Sequence, residues 1–434
     1  MARAGRVALI VIPPPGGRSV ARGYDEMLRR ETPVPRSTPA GATQNGPPPP
    51  PGGANVPARR VPSDLGGARD VESRRGMEEF SDAAAYTRSL ARGLLASGSA
   101  VRVLTSGDSG AAAVECEVAA FPRLGRPLVG ALAFSRAAAH LRAFGPEILH
   151  AQAPEAWAVT RRLARALRAP FAVTVHEFVD RPGDLPWPPG LWPLCIVLSE
   201  ALRENLVNAG GVPKVRLVVV PPGLELEERP AGQNAAARPG EAAAPAKTGT
   251  LIVGCIAPLV EAKGVEFFIR AARRVIDAGR DAEFVIRGVG PCEEELRRLA
   301  IELGVRERLT FLGEEVGPEQ LLPSLDVFVL PGLREAVGTS ALRAMACAKP
   351  VVAFGTGGVF ALVRDGATGF LVEPRDDEAM ARAIVRLHDE GALRVEMGRA
   401  GRALVEREFP LDGMVRATEE AYSLALAEAQ PQRA

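Results

Sequence analysis

The sequence predicts an α/β protein built from two Rossmann-like, doubly wound domains that face a cleft. Two observations carry this prediction. Apolar strand patterns alternate with helical ones along most of the 434 residues, and two low-complexity stretches divide the series. Strands that alternate with helices at this pace are typical of βαβ units and a mostly parallel sheet. The chain is also long enough for two or three domains, each with its own core.

The two low-complexity stretches set the expected domain boundaries. Residues 16–76 are rich in Pro, Gly and Arg and include five consecutive prolines, Pro47–Pro51. A segment of this composition buries too little apolar surface to offset its ordering entropy, so we expect it to be disordered. Residues 226–249 are predicted to be an interdomain linker. The other expected parts are a first strand in 1–15, an N-terminal domain in 77–225, a C-terminal domain in 250–405 and a C-terminal helix in 406–428.

Apolar periodicity assigns the elements within each domain. In the N-terminal half, helical spacing begins at Met77 and ends at Gly98. Apolar runs predict strands at 101–105, 148–150, 171–175, 195–198 and 215–220, with helices between them. The C-terminal half has predicted strands at 251–257, 283–287, 309–312, 327–330, 351–354 and 370–372. A closing helix is predicted from about 375 to 390, and more helix over 392–428.

Composition argues against several classes of function. Lys and Arg number 53 against 52 Asp and Glu, a net charge of +1 that gives no electrostatic reason to expect a nucleic-acid partner. The five cysteines are scattered without metal-ligand spacing, so we expect no metal site and a cytoplasmic protein. No apolar run reaches the roughly 18 residues that a membrane span needs. Any membrane contact is therefore expected to be peripheral, at the inner face.

Glycine-rich loops follow four of the strands predicted in the C-terminal domain. These loops should lie at one edge of the sheet, where ligands of open parallel sheets bind. Lys263 stands just before a helix, where a mobile cation suits a phosphate. Glu335 offers a carboxylate that can accept two hydroxyl hydrogen bonds, as a sugar requires. The sequence therefore predicts a site for phosphate and sugar between helix starts.

The residues of this domain resemble the family-4 type retaining glycosyltransferases of the GT-B fold. The similarity covers 251–425 and rests on Glu335-Ala336-Val337-Gly338, on 344–353, and on Lys263-Gly264, with further matches at Gly288-Val289-Gly290-Pro291 and 365–372. In the N-terminal half it is fainter. The resemblance implies transfer of a sugar from a UDP- or GDP-linked donor, with retention and without a metal or other cofactor. The acceptor, whether polysaccharide, lipid-linked or small molecule, is left open.

The resemblance also implies roles for particular residues. Lys263 would hold the donor diphosphate and Glu335 would bond the donor sugar. Backbone groups of Val337, Gly338 and Thr339 would meet the sugar and phosphates, with Gly288 and Gly290 also in the donor-binding loops. From the N-terminal, acceptor-binding domain, His176 would face the donor sugar across the cleft, and the helix in 406–428 would return to that domain. The alternative for His176 is a satisfied histidine at a strand end.

Three positions depart from the family pattern. Ala257-Pro258 stands where the family has Gly-Arg, so one cation is missing. Arg343 replaces a second glutamate that normally holds the nucleotide ribose, and a guanidinium has no acceptor for hydroxyl protons. We hypothesise that Arg343 reaches the donor phosphate, and the alternative is an outward-facing arginine without a ligand. Ser81-Asp82 stands where a Gly-Gly pair is expected.

These departures leave more than one function open. The leading expectation is a retaining glycosyltransferase with an altered donor site. The alternative is an impaired paralogue that binds a nucleotide sugar or a partner without turnover, and a sugar epimerase is a third, weaker possibility. Four arginines on one N-terminal helix would suit an anionic lipid surface or form a solvated face: Arg161, Arg162, Arg165 and Arg168.

Overall fold

The computed structural model describes residues 5–11, 82–106, 116–124, 130–185, 192–226 and 249–429. Within these ranges lie two sheets whose strands all run parallel, with helices between successive strands. The prediction of two Rossmann-like domains is therefore confirmed. The predicted disordered stretch 16–76 and most of the linker fall outside the described residues.

Seven strands form the N-terminal sheet. They are β1 (Arg6–Val11), β2 (Ala100–Thr105), β3 (Glu117–Ala120), β4 (Ile148–Ala151), β5 (Phe171–Val175), β6 (Leu194–Val197) and β7 (Leu217–Val219). Their order is β3-β2-β1-β4-β5-β6-β7. The helices are α1 (Asp82–Ala96), α2 (Ala131–Phe144), α3 (Pro154–Leu167) and α4 (Glu200–Asn208). Strand β3 was not predicted, because it has only four residues and all of them are exposed or only half-buried.

Six strands form the C-terminal sheet. They are β8 (Leu251–Ile256), β9 (Ala282–Arg287), β10 (Leu309–Leu312), β11 (Val327–Leu330), β12 (Val351–Phe354) and β13 (Gly369–Val372), in the order β10-β9-β8-β11-β12-β13. The helices are α5 (Val265–Asp277), α6 (Glu293–Glu302), α7 (Pro318–Leu321), α8 (Thr339–Ala346), α9 (Val359–Leu362), α10 (Asp377–Asp389), α11 (Gly391–Glu408) and α12 (Leu411–Ala429).

The N-terminal sheet is covered on two faces, as alternate residues of β1 show. Val7 and Leu9 join a buried cluster with residues of α1 and α12, whereas Ala8 and Ile10 join one with α2 and α3. The strand order reverses between β1 and β4 in one sheet and between β8 and β11 in the other. Such reversal points open a crevice at the carboxyl ends of the strands.

The chain crosses between the domains twice, and the two crossings pair with each other. Leu224 N donates to Phe409 O at 3.0 Å, and Leu411 N donates to Leu224 O at 3.1 Å. The helical stretch expected over 392–428 is thus two helices, broken at Phe409-Pro410, and the return begins at Leu411. Helix α12 then packs on α1, where a Cβ at Gly93 would overlap Val415. None of the described helices is long and apolar enough to cross a membrane.

Candidate functional site

Lys263 and Glu335 meet at the reversal point of the C-terminal sheet. Lys263 ends a short 3-10 turn between β8 and α5, and Glu335 lies in the loop between β11 and α8. Because β8 and β11 are neighbours, their loops run side by side, and Leu333 N donates to Ala262 O at 2.9 Å. Lys263 Nζ donates to Glu335 Oε1 at 2.9 Å. The two residues therefore form one ion pair, which sequence reasoning did not foresee.

This ion pair is partly buried. The Glu335 side chain is 6% exposed and that of Lys263 is 19% exposed. A Cβ at Gly332 would overlap the Glu335 carboxylate, so a larger residue there would force that side chain out of its present position. The site thus presents a cation and a carboxylate in fixed positions beside the crevice.

The predicted glycines after β9 pack the neighbouring loop. Gly288 has φ +155°, and a Cβ there would overlap the carbonyl oxygen of Ala257. A Cβ at Gly290 would likewise overlap the carbonyl oxygen of Leu259. Close packing against the neighbouring backbone therefore explains glycine at both positions, and contact of either residue with the donor stays a prediction. Pro258 lies exposed in the same β8 loop and supplies no cation.

The backbone groups predicted at 337–339 lie at the start of α8. Gly338 is the N-cap residue in the left-handed region, at φ 88°, and the helix begins at Thr339. First-turn N–H groups of a helix have no partner within the helix and favour anions. Val337 and Gly338 are buried, and Thr339 is half-buried. This helix start follows three residues after Glu335, so the loop offers a carboxylate and anion-attracting N–H groups close together.

Arg343 lies one turn further along α8, beside an acidic side chain. Its Nη1 is 4.0 Å from Glu319 Oε1, and the arginine side chain is 25% exposed. Nearby Arg287 is buried and donates to the carbonyl oxygen of Val316 at 2.9 Å. Burial lowers the pKa of Arg287, and the positive charge of Arg343 acts in the same direction. Arg343 thus has an acidic partner, and its contact with a donor phosphate stays a prediction.

In the N-terminal domain, His176 follows β5 directly and is half-buried. Its ring meets Tyr86 of α1 edge-on, with ring centroids 5.3 Å apart. The loop that His176 begins also reaches the loop of Glu335, because Asp180 Oδ1 lies 2.9 Å from Arg334 Nη2. The structure therefore brings these two loops together across the domain interface.

A buried polar cluster behind His176 was missed by sequence reasoning. His150 of β4 is fully buried, with Nδ1 2.7 Å from the Tyr422 hydroxyl and Nε2 2.7 Å from Thr174 Oγ1. Burial lowers the pKa of His150 to about 3, and the nearby His176 adds to the effect. Burial likewise raises the pKa of Tyr422. The cluster anchors α12 to the N-terminal sheet, and a histidine within an apolar strand was its only signal in the sequence.

Two family descriptions match the chain, one in each domain. "Glycosyltransferase Family 4" matches residues 83–228, and "Glycosyl transferases group 1" matches residues 250–390. Among solved structures, Anabaena HepE in complex with UDP-glucose superposes with a TM-score of 0.66 at 19% identity, over 80% of this chain and 97% of that one. This likeness concerns the fold.

Curated relatives match over shorter stretches. The α-D-kanosaminyltransferase of Streptomyces kanamyceticus is 35% identical over 37% of this chain and 42% of its own length. The D-inositol 3-phosphate glycosyltransferase of Nocardia farcinica is 37% identical over 43% of this chain and 42% of its own length. The chain thus spans less than half the length of these two relatives. With both domains matched and the fold shared, the chain belongs to the family-4 glycosyltransferases of the GT-B fold.

Proposed function

We propose that the protein transfers a sugar from a nucleotide diphosphate sugar to an acceptor, with retention and without a metal ion. The observation that carries this proposal is the Lys263–Glu335 pair at the reversal point of the sheet. It sets a cation for the diphosphate beside a carboxylate for sugar hydroxyls. Because the HepE structure contains UDP-glucose, a UDP-linked donor is the first to test, with a GDP-linked donor second.

The chemistry follows from where charge develops. As the bond between the anomeric carbon and the phosphate oxygen breaks, negative charge builds on the diphosphate. Lys263 and the N–H groups at the start of α8 stabilise that charge in fixed positions. Glu335 orients the sugar through its hydroxyls, and His176 faces it from the N-terminal domain. The acceptor hydroxyl attacks the anomeric carbon from the face that the diphosphate leaves and gives its proton to the departing phosphate oxygen. Attack on this face retains the anomeric configuration without a covalent nucleophile.

A second candidate is a nucleotide-sugar-binding paralogue with impaired turnover. Pro258 supplies no cation to the diphosphate, and Arg343 lies against Glu319 where the family has a ribose-binding glutamate. These two observations favour weakened donor binding. Lys263 and Glu335, present and paired, favour an active enzyme.

We also propose that the N-terminal, acceptor-binding domain makes peripheral contact with the inner face of a membrane. Helix α3 exposes Arg162 and Arg165, with Arg168 just beyond its end. Basic residues near an anionic leaflet contribute about 1 kcal/mol each. This contact would suit a lipid-linked acceptor, whereas a polysaccharide or small acceptor would not need it.

The anomeric configuration of the product tests the proposed reaction. Purified protein is incubated with UDP-glucose, an acceptor panel and EDTA, and the product is followed by proton NMR. We expect a product, or slow donor hydrolysis, with the α configuration of the donor kept. Donor binding without product over the whole panel would favour the impaired paralogue, and an inverted product would refute retention.

A further inference from the structure

The loop that carries Glu335 is held by the N-terminal domain on both sides of that residue. On one side, Arg334 pairs with Asp180 at 2.9 Å, and its guanidinium lies 5.7 Å from the centroid of the Phe178 ring. On the other side, the carbonyl oxygen of Ala336 accepts a hydrogen bond from Ser199 Oγ at 2.6 Å. The residue between them, Glu335, turns instead to Lys263 of its own domain.

Ser199 makes its contact from a tightly defined position. Its side chain caps α4 by accepting from Leu202 N at 3.2 Å, and the residue is 7% exposed. A hydroxyl has a single proton to donate, and here it goes to Ala336. The cap and the interdomain bond therefore fix the same rotamer. Because Ala336 also packs against the N-terminal core, this part of the donor loop is shaped by the other domain.

A third contact supports the same loop from behind. The main-chain oxygen of Glu335 accepts from Gly358 N at 2.9 Å. Next to it, a Cβ at Gly357 would lie 2.9 Å from the Phe178 ring. Phe178 therefore touches both the Arg334 guanidinium and the segment that supports Glu335. The contacts from Phe178, Asp180 and Ser199 surround one short loop.

We propose that Ser199 and Asp180 are positioning residues of the donor site, which act through Ala336 and Arg334 to hold Glu335 where it meets the donor sugar. The inference rests on the proposed function and deepens it. Recognition of the sugar by the C-terminal domain then depends on contact with the N-terminal domain. By linkage, a donor that engages Glu335 strengthens the interdomain contact as much as that contact strengthens donor binding.

A matched pair of substitutions at Ser199 separates the cap from the interdomain bond. Asp and Asn both cap helices as well as Ser does. Asn has an N–H group to donate to Ala336, whereas Asp has none and places a negative charge against that carbonyl oxygen. Ser199→Asp therefore breaks the interdomain bond and keeps the cap, and Ser199→Asn keeps both. Ser199→Ala has neither the cap nor the bond, so an unfolding temperature of Ser199→Asp above that of Ser199→Ala would show that the cap is kept.

The readout is binding of UDP-glucose against binding of UDP, by isothermal titration calorimetry. We expect Ser199→Asp to lower the affinity for UDP-glucose about 10-fold. Its affinity for UDP should stay within about 2-fold of wild type, because Glu335 contacts the sugar and not the nucleotide. Ser199→Asn should stay within about 3-fold of wild type for both. Asp180→Arg and Arg334→Asp should each lower the affinity for UDP-glucose about 3-fold. The double variant with the two charges exchanged should recover the wild-type affinity. Asp389→Asn, which removes an exposed ion pair with Arg280, is the control.

The outcomes separate this inference from the function on which it rests. A wild-type protein that binds no nucleotide sugar overturns the proposed function, and the inference with it. Wild-type binding with Ser199→Asp unchanged overturns the inference alone. Equal weakening of UDP and UDP-glucose in Ser199→Asp also overturns it, because the contact would then not act through Glu335.

Discussion

Loss of the Glu335 charge should weaken both the ion pair and recognition of the donor sugar. Glu335→Gln keeps the shape of the side chain and leaves the Lys263 ammonium against a neutral acceptor. Hydrogen bonds to charged groups contribute about 1.5–3 kcal/mol, and this one is partly buried, with the carboxylate side chain 6% exposed. We expect the free energy of unfolding to fall by about 1–2 kcal/mol. The affinity for UDP-glucose should fall about 10- to 100-fold.

A double-mutant cycle with Lys263→Met measures the pair directly. Urea denaturation of wild type, both single variants and the double variant should give a coupling energy of about 1–2 kcal/mol. The exposed pair Arg280–Asp389, treated in the same way, should give less than about 1 kcal/mol. Lys263→Met should also lower the affinity for UDP alone, whereas Glu335→Gln should leave that affinity unchanged. A coupling energy near zero, or wild-type affinity of Glu335→Gln for UDP-glucose, would refute the reasoning.

Three further predictions concern other parts of the molecule. The pKa of His150 falls from 6.5 in the unfolded chain to about 3 when folded, so below pH 6.5 the unfolded state binds the extra proton and stability falls. At pH 4.5 the free energy of unfolding is lower by about 3 kcal/mol for this reason. Urea denaturation of His150→Gln should not show this loss, and a loss as large as that of wild type would contradict the assignment. If the Arg343 guanidinium binds the donor phosphates, Arg343→Glu should lower the affinity for UDP, measured by calorimetry, about 10-fold. Tighter binding would contradict that role. Replacing Arg162 and Arg165 by Gln should reduce sedimentation with phosphatidylglycerol vesicles about 10-fold, whereas unchanged sedimentation would indicate a solvated face.

Apolar patterning predicted most of the fold because buried parallel strands carry long apolar runs. Strand β3 was missed because it is short and has no fully buried residue. The apolar run over 215–220 placed the start of β7 too early, because a short 3-10 turn precedes the strand at Leu217. The break between α11 and α12 had a visible cause. Pro410 has no N–H to continue a helix, and its position marks where the chain returns to the N-terminal domain.

The candidate site was predictable residue by residue, but its contacts were not. Lys263 and Glu335 stand out as polar groups after strands, yet their pairing depends on β8 lying beside β11, which is a property of strand order. The acidic neighbour of Arg343 comes from α7, a helix of only four residues. The cluster of His150 and Tyr422 joins residues 272 positions apart, and only the return of α12 brings them together.

Binding of nucleotide sugars in the absence of metal tests the central claim most directly. Wild-type protein is titrated by calorimetry with UDP, GDP and ADP, each alone and as its glucose conjugate, in buffer with EDTA. The account predicts that at least one conjugate binds, that it binds more tightly than its parent nucleotide, and that EDTA leaves its Kd unchanged. Binding of no nucleotide or conjugate, or binding that EDTA abolishes, would contradict a metal-independent donor site at Lys263 and Glu335.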